Sequence, residues 1–512
     1  MTTENQLEKG QHQQGTESPI STPSLHDNTP DQDDISEPKS EKHAKDDGIL
    51  VEFSKDSHDP SNPATFSNLK KWWIIAVIST TSTMVTCASS VVSTGYQGIE
   101  MDLHVSHEVA ILGLSLFVLG LGSGPIFLAP FSEFYGRRPV YLLSLTAFFL
   151  LGFPVAFANN PAVFFIFRYL TGFAGSAFLS VAGGSITDMY SPKYSFFPMA
   201  VYTSSPFMGP VLGPVYSGFV VQFADWRWSF RVIIIWSFVQ LILVAFTPET
   251  FPPQLLIQKA RRIRKETGNN SYYAQHERDL AAKSLVKTIA VSGSRVFLLL
   301  ALEPMLLLLC LWCAILLGIL YLFFELFPIV FAKHNFNDYQ NGLSFLGLGI
   351  GVMSGVVLMK FWFAKRYTRL SEKNGGKAPP EARLDPAKLG AILCPIGLFI
   401  FAFTSYRNVH WIAPIIGSIP FGVGFLLIFT SVFTFTTDNW RPVAASGMGA
   451  NSVARSIFAA AFPLFATQMA SRLTTTGAAA LLAGLNVVII PLPFVFARYG
   501  PQLRAKSKYA MK

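Results

Sequence analysis

The chain has 512 residues, of which 51% are hydrophobic and only 14% are charged, and its formal net charge is +9. Soluble globular proteins carry about 25% charged residues, so this composition excludes an ordinary soluble enzyme and indicates an integral membrane protein. The basic excess lies between apolar segments rather than on a polar domain, which argues against nucleic acid and for the lipid bilayer as a partner.

Residues 1–71 form a polar, acidic head. They contain 14 acidic residues and 7 lysines, a net charge of −7 that leaves +16 on the rest of the chain. A segment rich in Ser, Pro, Gln and Asp, with few aromatic residues, cannot bury enough apolar surface to fold. We therefore predict a disordered cytoplasmic tail at 1–71. It has no early apolar stretch, so no secretory signal is predicted.

Twelve apolar segments follow, each near the length of about 20 residues that a membrane helix needs. Two of them, the fifth and the eleventh, are rich in Gly, Ala and Ser, the small residues that let membrane helices pack closely. The segments lie at about 73–95, 109–131, 139–158, 162–187, 197–222, 229–248, 298–325, 341–363, 387–405, 411–436, 443–470 and 477–498.

The polar loops differ in charge. Residues 249–296 carry nine Lys and Arg against four acidic residues, whereas the 96–108 connection has three acidic residues and neither Lys nor Arg. Because cytoplasmic loops are enriched in Lys and Arg, both termini and the 249–296 loop are predicted to be cytoplasmic. The domains predicted are the tail, a six-helix half at 72–248, the central loop at 249–296, a six-helix half at 297–498 and a basic tail at 499–512.

A short internal echo supports two related halves. The fourth segment ends with ITDMYSPKYSFFPMA and the tenth with TTDNWRPVAASGMGA. Each has Thr-Asp, an aromatic residue two positions after the Asp, and then a basic residue. Such repeats build two-halved transporters, so the predicted fold class is an all-α integral membrane protein with 12 transmembrane helices in two six-helix halves.

Arg168 lies inside an apolar helix, where a charge is costly enough to indicate function. The alternative is that it snorkels to the outer headgroups. Asp188 follows 20 residues later, which is about 30 Å along a helix, so the two residues should lie at opposite membrane faces.

The loop between the second and third segments lies on the same face as Asp188. Gly136 permits a tight turn there, and Glu133, Arg137 and Arg138 place opposite charges at a helix boundary. The alternative is ordinary positive charge that flanks a membrane helix.

The second half has its own embedded polar residues. Glu325 follows a long apolar run and belongs either to a binding site or to the outer interface. Asn451 and Arg455 are one turn apart and therefore share one helix face. We interpret them as a polar stripe that faces a central cavity.

Residues 204–218 read SSPFMGPVLGPVYSG. Proline inside a helix removes a hydrogen bond and costs about 3 kcal/mol, yet three prolines recur here at intervals of four. In a membrane, hydroxyl groups and neighbouring helices can satisfy the freed carbonyls, and the two glycines form a GxxxG surface for close helix approach. The prolines and glycines are Pro206, Gly209, Pro210, Gly213 and Pro214, and the candidate hydroxyls are Ser204, Ser205 and Ser217.

The sequence predicts no enzyme. We find no phosphate-binding GxxxxGK[ST] pattern, no cluster of metal ligands and no spaced catalytic group, so no metal and no cofactor is expected. The CxxC pair in CLWC lies among apolar residues, so all four cysteines are predicted to be buried thiols rather than a redox or metal site. They are Cys87, Cys310, Cys313 and Cys394.

Several of these stretches resemble the major facilitator superfamily, and within it the fungal twelve-spanning drug:proton antiporters. GPIFLAPFSEFYGRRPVY resembles the loop between helices two and three, FRYLTGFAGSA the fourth helix, and SPFMGPVLGPVYSG the antiporter signature of the fifth. PETFPPQLLIQKARRIRKETGN, YLFFELFPIVF and NSVARSIFAAAFPLF are similar to the group's central loop, seventh helix and eleventh helix. The resemblance covers most of residues 72–498.

The resemblance implies a role for each matching position. Glu133, Arg137 and Asp188 would form a cytoplasmic charge cluster that latches the two halves, although the loop acid here is Glu where the superfamily usually has Asp. Arg168 would take part in proton coupling, and Glu325 in cargo or proton binding. The proline- and glycine-rich fifth helix would form a contact between the halves that limits leak.

The predicted function is efflux driven by the proton gradient. The chain would exchange protons for a hydrophobic or amphipathic small molecule, such as a fungal toxin or a drug, as a monomer in the plasma membrane or the vacuolar membrane. A polyamine exporter, which would require acidic cavity residues such as Glu325 and Glu303, stays open. So do a nutrient importer and a transport-dead sensor on the same fold.

Overall fold

The computed structural model describes residues 48–54, 59, 61–191, 194–281, 284–375, 378–440, 443–507 and 509. Most of the tail predicted at 1–71 lies outside these residues. Where its end is described, it contacts the central loop, because Ile49–Leu50 (β1) pairs in parallel with Tyr272–Tyr273 (β2). Asp59 also accepts a hydrogen bond of 2.8 Å from Lys259 Nζ. These contacts make the described part of 48–71 ordered where disorder was predicted.

The described residues of the first half form ten α-helices, several of which join into longer membrane-crossing rods. A 3-10 turn at Ser93–Gly95 separates the first two, and Gly124 separates the third from the fourth. The helices are α1 (Asn68–Ser90), α2 (Tyr96–Leu103), α3 (His107–Ser123), α4 (Pro125–Tyr135), α5 (Arg137–Ala156), α6 (Pro161–Gly175), α7 (Ala177–Ser180), α8 (Ala182–Met189), α9 (Phe196–Phe223) and α10 (Arg227–Ala245).

The central loop is largely helical. It forms α11 (Pro252–Thr267), α12 (Gln275–Ala281) and α13 (Leu285–Leu302), the last of which packs against α4 and α20. The next membrane helix begins at Pro304, not near residue 298 as predicted. Glu303 has non-helical backbone angles, and proline is favoured at the first position of a helix, so the chain breaks here in spite of its continuous apolarity.

Where the structure describes it, the second half forms eight α-helices. A π-helical segment, Met359–Ala364, lies between α16 and α17, and a 3-10 turn, Pro380–Leu384, precedes α18. Thr474 has a φ of 63° and bends the long α20 helix into two parts. The helices are α14 (Pro304–Ala332), α15 (Asp338–Ser344), α16 (Leu346–Leu358), α17 (Lys365–Lys373), α18 (Asp385–Thr404), α19 (Ile412–Asn439), α20 (Ala444–Ile489) and α21 (Pro491–Lys506).

Eleven helices of the described chain are long and apolar enough to cross a membrane. The α13 helix is among them, but it is mostly exposed and lies beside α4. The α9 helix is not, because its prolines, serines and glycines lower its mean hydropathy. With α13 set aside, α9 included and α20 divided at Thr474, the part of the chain that the structure describes has twelve crossings, which confirms the predicted fold class.

The two halves meet along two helix contacts. The α3 helix packs along α20, and α9 packs along α15 and α16. A continuous apolar core runs through both halves, with aromatic side chains such as Phe207, Phe425 and Phe429 in mutual contact. We call the membrane face with the α4–α5 turn and residues 249–296 the central-loop face, and the other the opposite face.

Candidate functional site

A cavity of about 200 Å³ lies between the two halves and extends toward the central-loop face. Helices α4, α8 and α9 form one wall, and α19 and α20 form the other. Its lining combines apolar side chains, such as Phe433 and Met199, with polar groups that include Tyr202, Asn451 and Arg455. The cavity can therefore hold a molecule that has both apolar and polar parts.

Asn451 and Arg455 both line this cavity, as the sequence analysis expected. Arg455 is 7% exposed and lies over the Phe433 ring, 5.5 Å from its centroid. Within the described residues Arg455 forms no ion pair, and both amide atoms of Asn451 are buried without a hydrogen-bond partner. A buried polar group without a partner is costly, so the two side chains are suited to bind a polar ligand group.

The cysteines near this wall are buried and free. Cys310 and Cys313 lie beside Asn451 and Arg455, close enough for electrostatic interaction. All four cysteines are buried and unpaired, which confirms the prediction of buried thiols.

The cavity is closed toward the opposite face by direct contacts between the halves. The hydroxyls of Ser89 on α1 and Tyr321 on α14 are 2.8 Å apart. Ser115 Oγ on α3 donates a 2.7 Å hydrogen bond to the carbonyl of Ala460 on α20. Nearer the opposite face, the Phe219 and Tyr339 rings stack at 5.3 Å. The structure therefore has one open and one closed end.

Arg168 is 1% exposed and is bound by backbone carbonyls of two neighbouring helices. Its Nη1 and Nη2 donate to Ala88 and Ser89 at 2.8 and 3.2 Å, and its Nε donates to Gly113 at 2.7 Å. The carbonyls in the last turn of a helix lack helical partners and carry partial negative charge, so Arg168 caps the broken end of α1. The side chain points into the protein, which excludes the alternative that it snorkels to headgroups.

Glu325 lies near the opposite face and is 5% exposed. Its Oε2 is 3.6 Å from His107 Nε2, and the other ring nitrogen of His107 is 2.7 Å from Glu100 Oε1. The Tyr96 ring packs edge-on against His107 at 5.5 Å and interacts electrostatically with Glu325. Because Glu325 is buried, a plain interfacial role does not describe it.

Arg137 and Asp188 are paired at the central-loop face. The Arg137 Nε is 3.2 Å from Asp188 Oδ2, and its Nη1 donates to Ser132 Oγ at 2.7 Å. Gly136 has a φ of 95°, a region that favours glycine, and a side chain there would lie 2.5 Å from Glu249 Oε2. The predicted tight turn at Gly136 is therefore present.

Glu249 organises this turn, although the sequence analysis did not select it. Its carboxylate accepts hydrogen bonds from the backbone N–H groups of four residues, at distances between 2.8 and 3.1 Å. Two of them begin α5, where unpaired N–H groups favour an anion. The four donors are Arg137, Arg138, Thr250 and Phe251. Arg138 also donates through Nη2 to the carbonyl of Ala245.

The expected cluster differs from the observed one in one member. Glu133 is exposed, and within the described residues its carboxylate forms no ion pair, because it projects into the cavity mouth from the last turn of α4. Arg137 and Asp188 both belong to the first half, so their ion pair does not join the halves in this structure. The cavity is open at this face, so the three residues expected to form the latch do not pair with the second half in this structure.

The second half has a matching ion pair. Arg383, before α18, is 2.9 Å from Asp438 at the end of α19. Asp438 belongs to the TTDNW stretch that echoes the ITDMY stretch of Asp188. The structural repeat thus extends to charge pairs, although the arginine was not predicted.

The glycines of the fifth-helix stretch, on α9, were expected to contact the other half, but two of them contact α1 of their own half. A side chain at Gly209 would overlap Thr86 Oγ1, and one at Gly213 would overlap Ser90 Oγ, so both glycines pack on α1 within the first half. The same helix also contacts the second half, at Pro214, whose carbonyl lies against Gly342, and at Gly218, where a side chain would lie 2.6 Å from the carbonyl of Asp338 on α15. Close approach of backbones needs glycine at both surfaces.

The prolines of this helix leave carbonyls that neighbouring groups reach. Pro206 cannot donate to the carbonyl of Tyr202, and Ser205 Oγ donates there at 2.7 Å. Pro210 and Pro214 are buried along the same helix, and the Pro214 carbonyl faces Gly342 of the second half. The Ser205 hydroxyl therefore takes the place of the missing backbone donor, as predicted.

Two helical halves around a cavity that is open at one end and closed at the other define a membrane transporter of the two-halved class. A model of the Major Facilitator Superfamily matches residues 77–463. The chain belongs to this superfamily, as its motifs predicted.

Its similar relatives are fungal transporters. Efflux pump atB of Aspergillus terreus is 43% identical over 470 residues, which is 90% of each chain. The probable drug/proton antiporter YHK8 of Saccharomyces cerevisiae is 42% identical over 463 residues, again 90% of each chain. The solved structure of the proton:xylose symporter XylE is 14% identical with a TM-score of 0.59, covering 85% of this chain and 96% of that one, which shows likeness of fold alone.

Proposed function

We propose that this chain is a proton-coupled antiporter that exports a hydrophobic or amphipathic small molecule. The observation that carries the proposal is the cavity between the halves, whose wall presents Asn451 beside Arg455, a buried cation with no ion-pair partner among the described residues. The names of relatives with about 40% identity, efflux pump and drug/proton antiporter, support it.

We assign the central-loop face to the cytoplasm, because the 249–296 loop is rich in Lys and Arg. Both termini then lie in the cytoplasm. The structure corresponds to the inward-facing state, in which cargo enters from the cytoplasm. Rocking of the halves would close this end and part the contacts at Ser89 and Tyr321.

Protons supply the driving force. One charge that crosses a potential of 100 mV contributes about 2.3 kcal/mol. Glu325 is the carboxyl group proposed to carry the proton, since it is buried within the helices beside an exposed histidine. Arg168 supports the exchange by holding α1 and α3 in place, and it forms no ion pair with an acidic residue in the described chain.

The cavity does not favour a polyamine. Glu303, which was considered as a cavity acid, instead accepts a 2.7 Å hydrogen bond from Ser507 Oγ and lies away from the cavity. Glu325 is engaged with His107. Among the charged residues that line the described cavity, Arg455 is the buried one, whereas Glu133 is exposed at the mouth, so the inner wall repels cations and attracts acidic or electron-rich groups. A cargo with an acidic group therefore fits this wall better than a polycation.

Expression of the chain in yeast cells that lack their own efflux pumps tests the proposal. Cells with the transporter should accumulate less fluorescein, an amphipathic organic anion, than cells with an empty vector, and a protonophore should abolish the difference. A higher level of accumulation would support the nutrient importer instead. Equal accumulation with surface-exposed protein would support the sensor. Fractionation of the same cells would distinguish the plasma membrane from the vacuolar membrane.

A further inference from the structure

His107 lies between the two halves with both ring nitrogens directed at carboxylates. Nδ1 is 2.7 Å from Glu100 Oε1 on α2, and Nε2 is 3.6 Å from Glu325 Oε2 on α14. The histidine begins α3 in the first half, and Glu325 belongs to the second. This cluster, which we call the outer triad (Glu100, His107 and Glu325), therefore crosses the boundary on the closed side.

The geometry favours a charged imidazole when the halves are closed. A neutral imidazole has a single N–H donor, so it can satisfy only one of the two carboxylates, whereas the imidazolium can satisfy both. Glu325 is 5% exposed, and its Oε1 has no hydrogen-bond partner among the described residues. A buried carboxylate without a paired cation is strongly unfavourable, so His107 serves as that cation.

Other charges nearby do not replace the histidine. The charged groups that act on His107 are Glu325 and Glu100. Arg168 acts on Tyr96, which also interacts with Glu325, but its guanidinium is engaged with three backbone carbonyls. The attraction between the halves at this point therefore depends on the charge states of His107 and Glu325.

We propose that the outer triad is a proton-entry site that also latches the outer face closed. This inference rests on the proposed exchange of protons for cargo. The His107 side chain is 40% exposed and can exchange protons with the outer solution, whereas Glu325 is 6% exposed. The histidine is thus the solvent-accessible end of a two-group proton path.

Proton transfer within the outer triad conserves charge at each step. The imidazolium releases its proton from Nε2 to Glu325 Oε2, which leaves a neutral imidazole and a neutral carboxylic acid. His107 then takes one proton from the outer water. Because 3.6 Å is longer than a hydrogen bond, the transfer passes through one water or follows a small side-chain rotation. The net result is one outer proton on Glu325 and the loss of the attraction across the boundary.

Distance measurement between spin labels tests this site on the full chain in lipid nanodiscs. Labels at Met101→Cys and Tyr406→Cys lie on exposed residues of the two halves, and the four natural cysteines are buried. In the otherwise unchanged chain, the fraction of molecules with the longer distance between the labels should be larger at a pH of about 5 than at a pH of about 8. Glu325→Gln, which mimics the protonated acid, should show the longer distance at both pH values, and His107→Gln should show it already at pH 8.

Glu108→Gln is the matched control, because Glu108 is exposed on the same helical turn and outside the triad. It should keep the original response. If Glu325→Gln does not yield folded protein, Glu100→Gln provides the second variant and should shift the response in the same direction. The inference would be overturned if His107→Gln and one of the two carboxyl variants, measured separately, each kept the distances and the pH response of the original chain.

This readout needs no cargo, so the two proposals can fail separately. Opening by acid without proton-driven export would remove the proposed function and leave the proton-binding latch. Export that persists with no effect of the triad variants on the outer distance would remove the latch and leave the export function.

Discussion

Arg383 and Asp438 are joined by an ion pair of 2.9 Å at the central-loop end of the second half. Arg137 and Asp188 form a pair of 3.2 Å at the corresponding place in the first half. The partners are 55 and 51 residues apart in sequence, respectively, so the repeat preserves the contact at a similar spacing. Each pair fastens the end of one helix to the beginning of another.

Loss of either pair should slow transport. Asp188→Asn leaves the partly buried Arg137, and Asp438→Asn the buried Arg383, without its charged partner, which costs about 1–3 kcal/mol. We expect transport to fall about tenfold in each variant, measured as initial efflux rate per surface-exposed transporter. Asp279→Asn, on α12 and outside both ion pairs, should leave the rate unchanged. Efflux at the original rate in both test variants would show that the pairs have no part in the cycle.

Gly209→Ala should destabilise the first half. The added methyl group would overlap Thr86 Oγ1 and lie 2.5 Å from Cys87 N, so α1 and α9 must separate. Overpacking of this kind costs about 1–3 kcal/mol, and the melting temperature in detergent should fall by several degrees.

Gly484→Ala is the control for this change. It lies in a helix with no atom within 4 Å of the added group, and alanine is the better helix former. Its melting temperature should stay equal or rise. Equal melting temperatures for both alanine variants would contradict the packing described for α1 and α9.

The contact between the N-terminal segment and the central loop should depend on pH. The hydrogen bond from Lys259 lowers the pKa of Asp59 from 3.8 to about 2. Because the pKa is lower in the docked state, the contribution of Asp59 is complete above a pH of about 4 and is lost as the pH falls toward 2. Protection of residues 48–54 against hydrogen exchange, corrected for intrinsic rates, should decrease over that range.

Asp59→Asn should reproduce the acid effect at neutral pH. Glu52→Gln is its control, because the Glu52 side chain is exposed and only its backbone carbonyl contacts Lys259. Full protection in Asp59→Asn would show that the ion pair does not hold this segment.

Arg455→Gln should reduce discrimination by cargo charge. Removal of the buried cation takes away the attraction for an acidic cargo, so transport of fluorescein should fall at least tenfold while transport of the cationic dye rhodamine 6G is kept or rises. Arg455→Lys keeps the charge and should retain the preference for the anion. An equal loss of both dyes in Arg455→Gln, with normal folding, would assign the arginine to the transport cycle rather than to cargo charge.

The membrane segments could be predicted because their cause is local. The predicted tenth span at 411–436 nearly coincides with Ile412–Asn439, because the length of the apolar run sets the length of the membrane helix. The break at Glu303 was missed because α13 and α14 are both apolar, with mean hydropathies of 1.7 and 2.8, so only the Glu303–Pro304 pair marks it.

Contacts between distant residues could not be predicted in the same way. His107 and Glu325 belong to different halves, and nothing in either local sequence records that they meet. The role of Glu249 could not be predicted because it lies in a loop. The four backbone N–H groups that donate to its carboxylate come together only through the turn at Gly136. Asn451 and Arg455 were found because their spacing places them on one helix face.

The central claim is the exchange of protons for cargo, and transport by the purified full-length chain in liposomes tests it most directly. The liposomes have an acidic lumen and fluorescein outside, and the dye is measured after lysis at a fixed pH. A weak acid that equilibrates passively reaches a lower total concentration in an acidic lumen than outside, so accumulation of dye above the outside concentration requires the transporter. We predict that fluorescein enters while the lumen loses protons, and that Glu325→Gln uncouples the two. Entry no faster than in protein-free liposomes, or entry only when protons move in the same direction as the dye, would contradict the account.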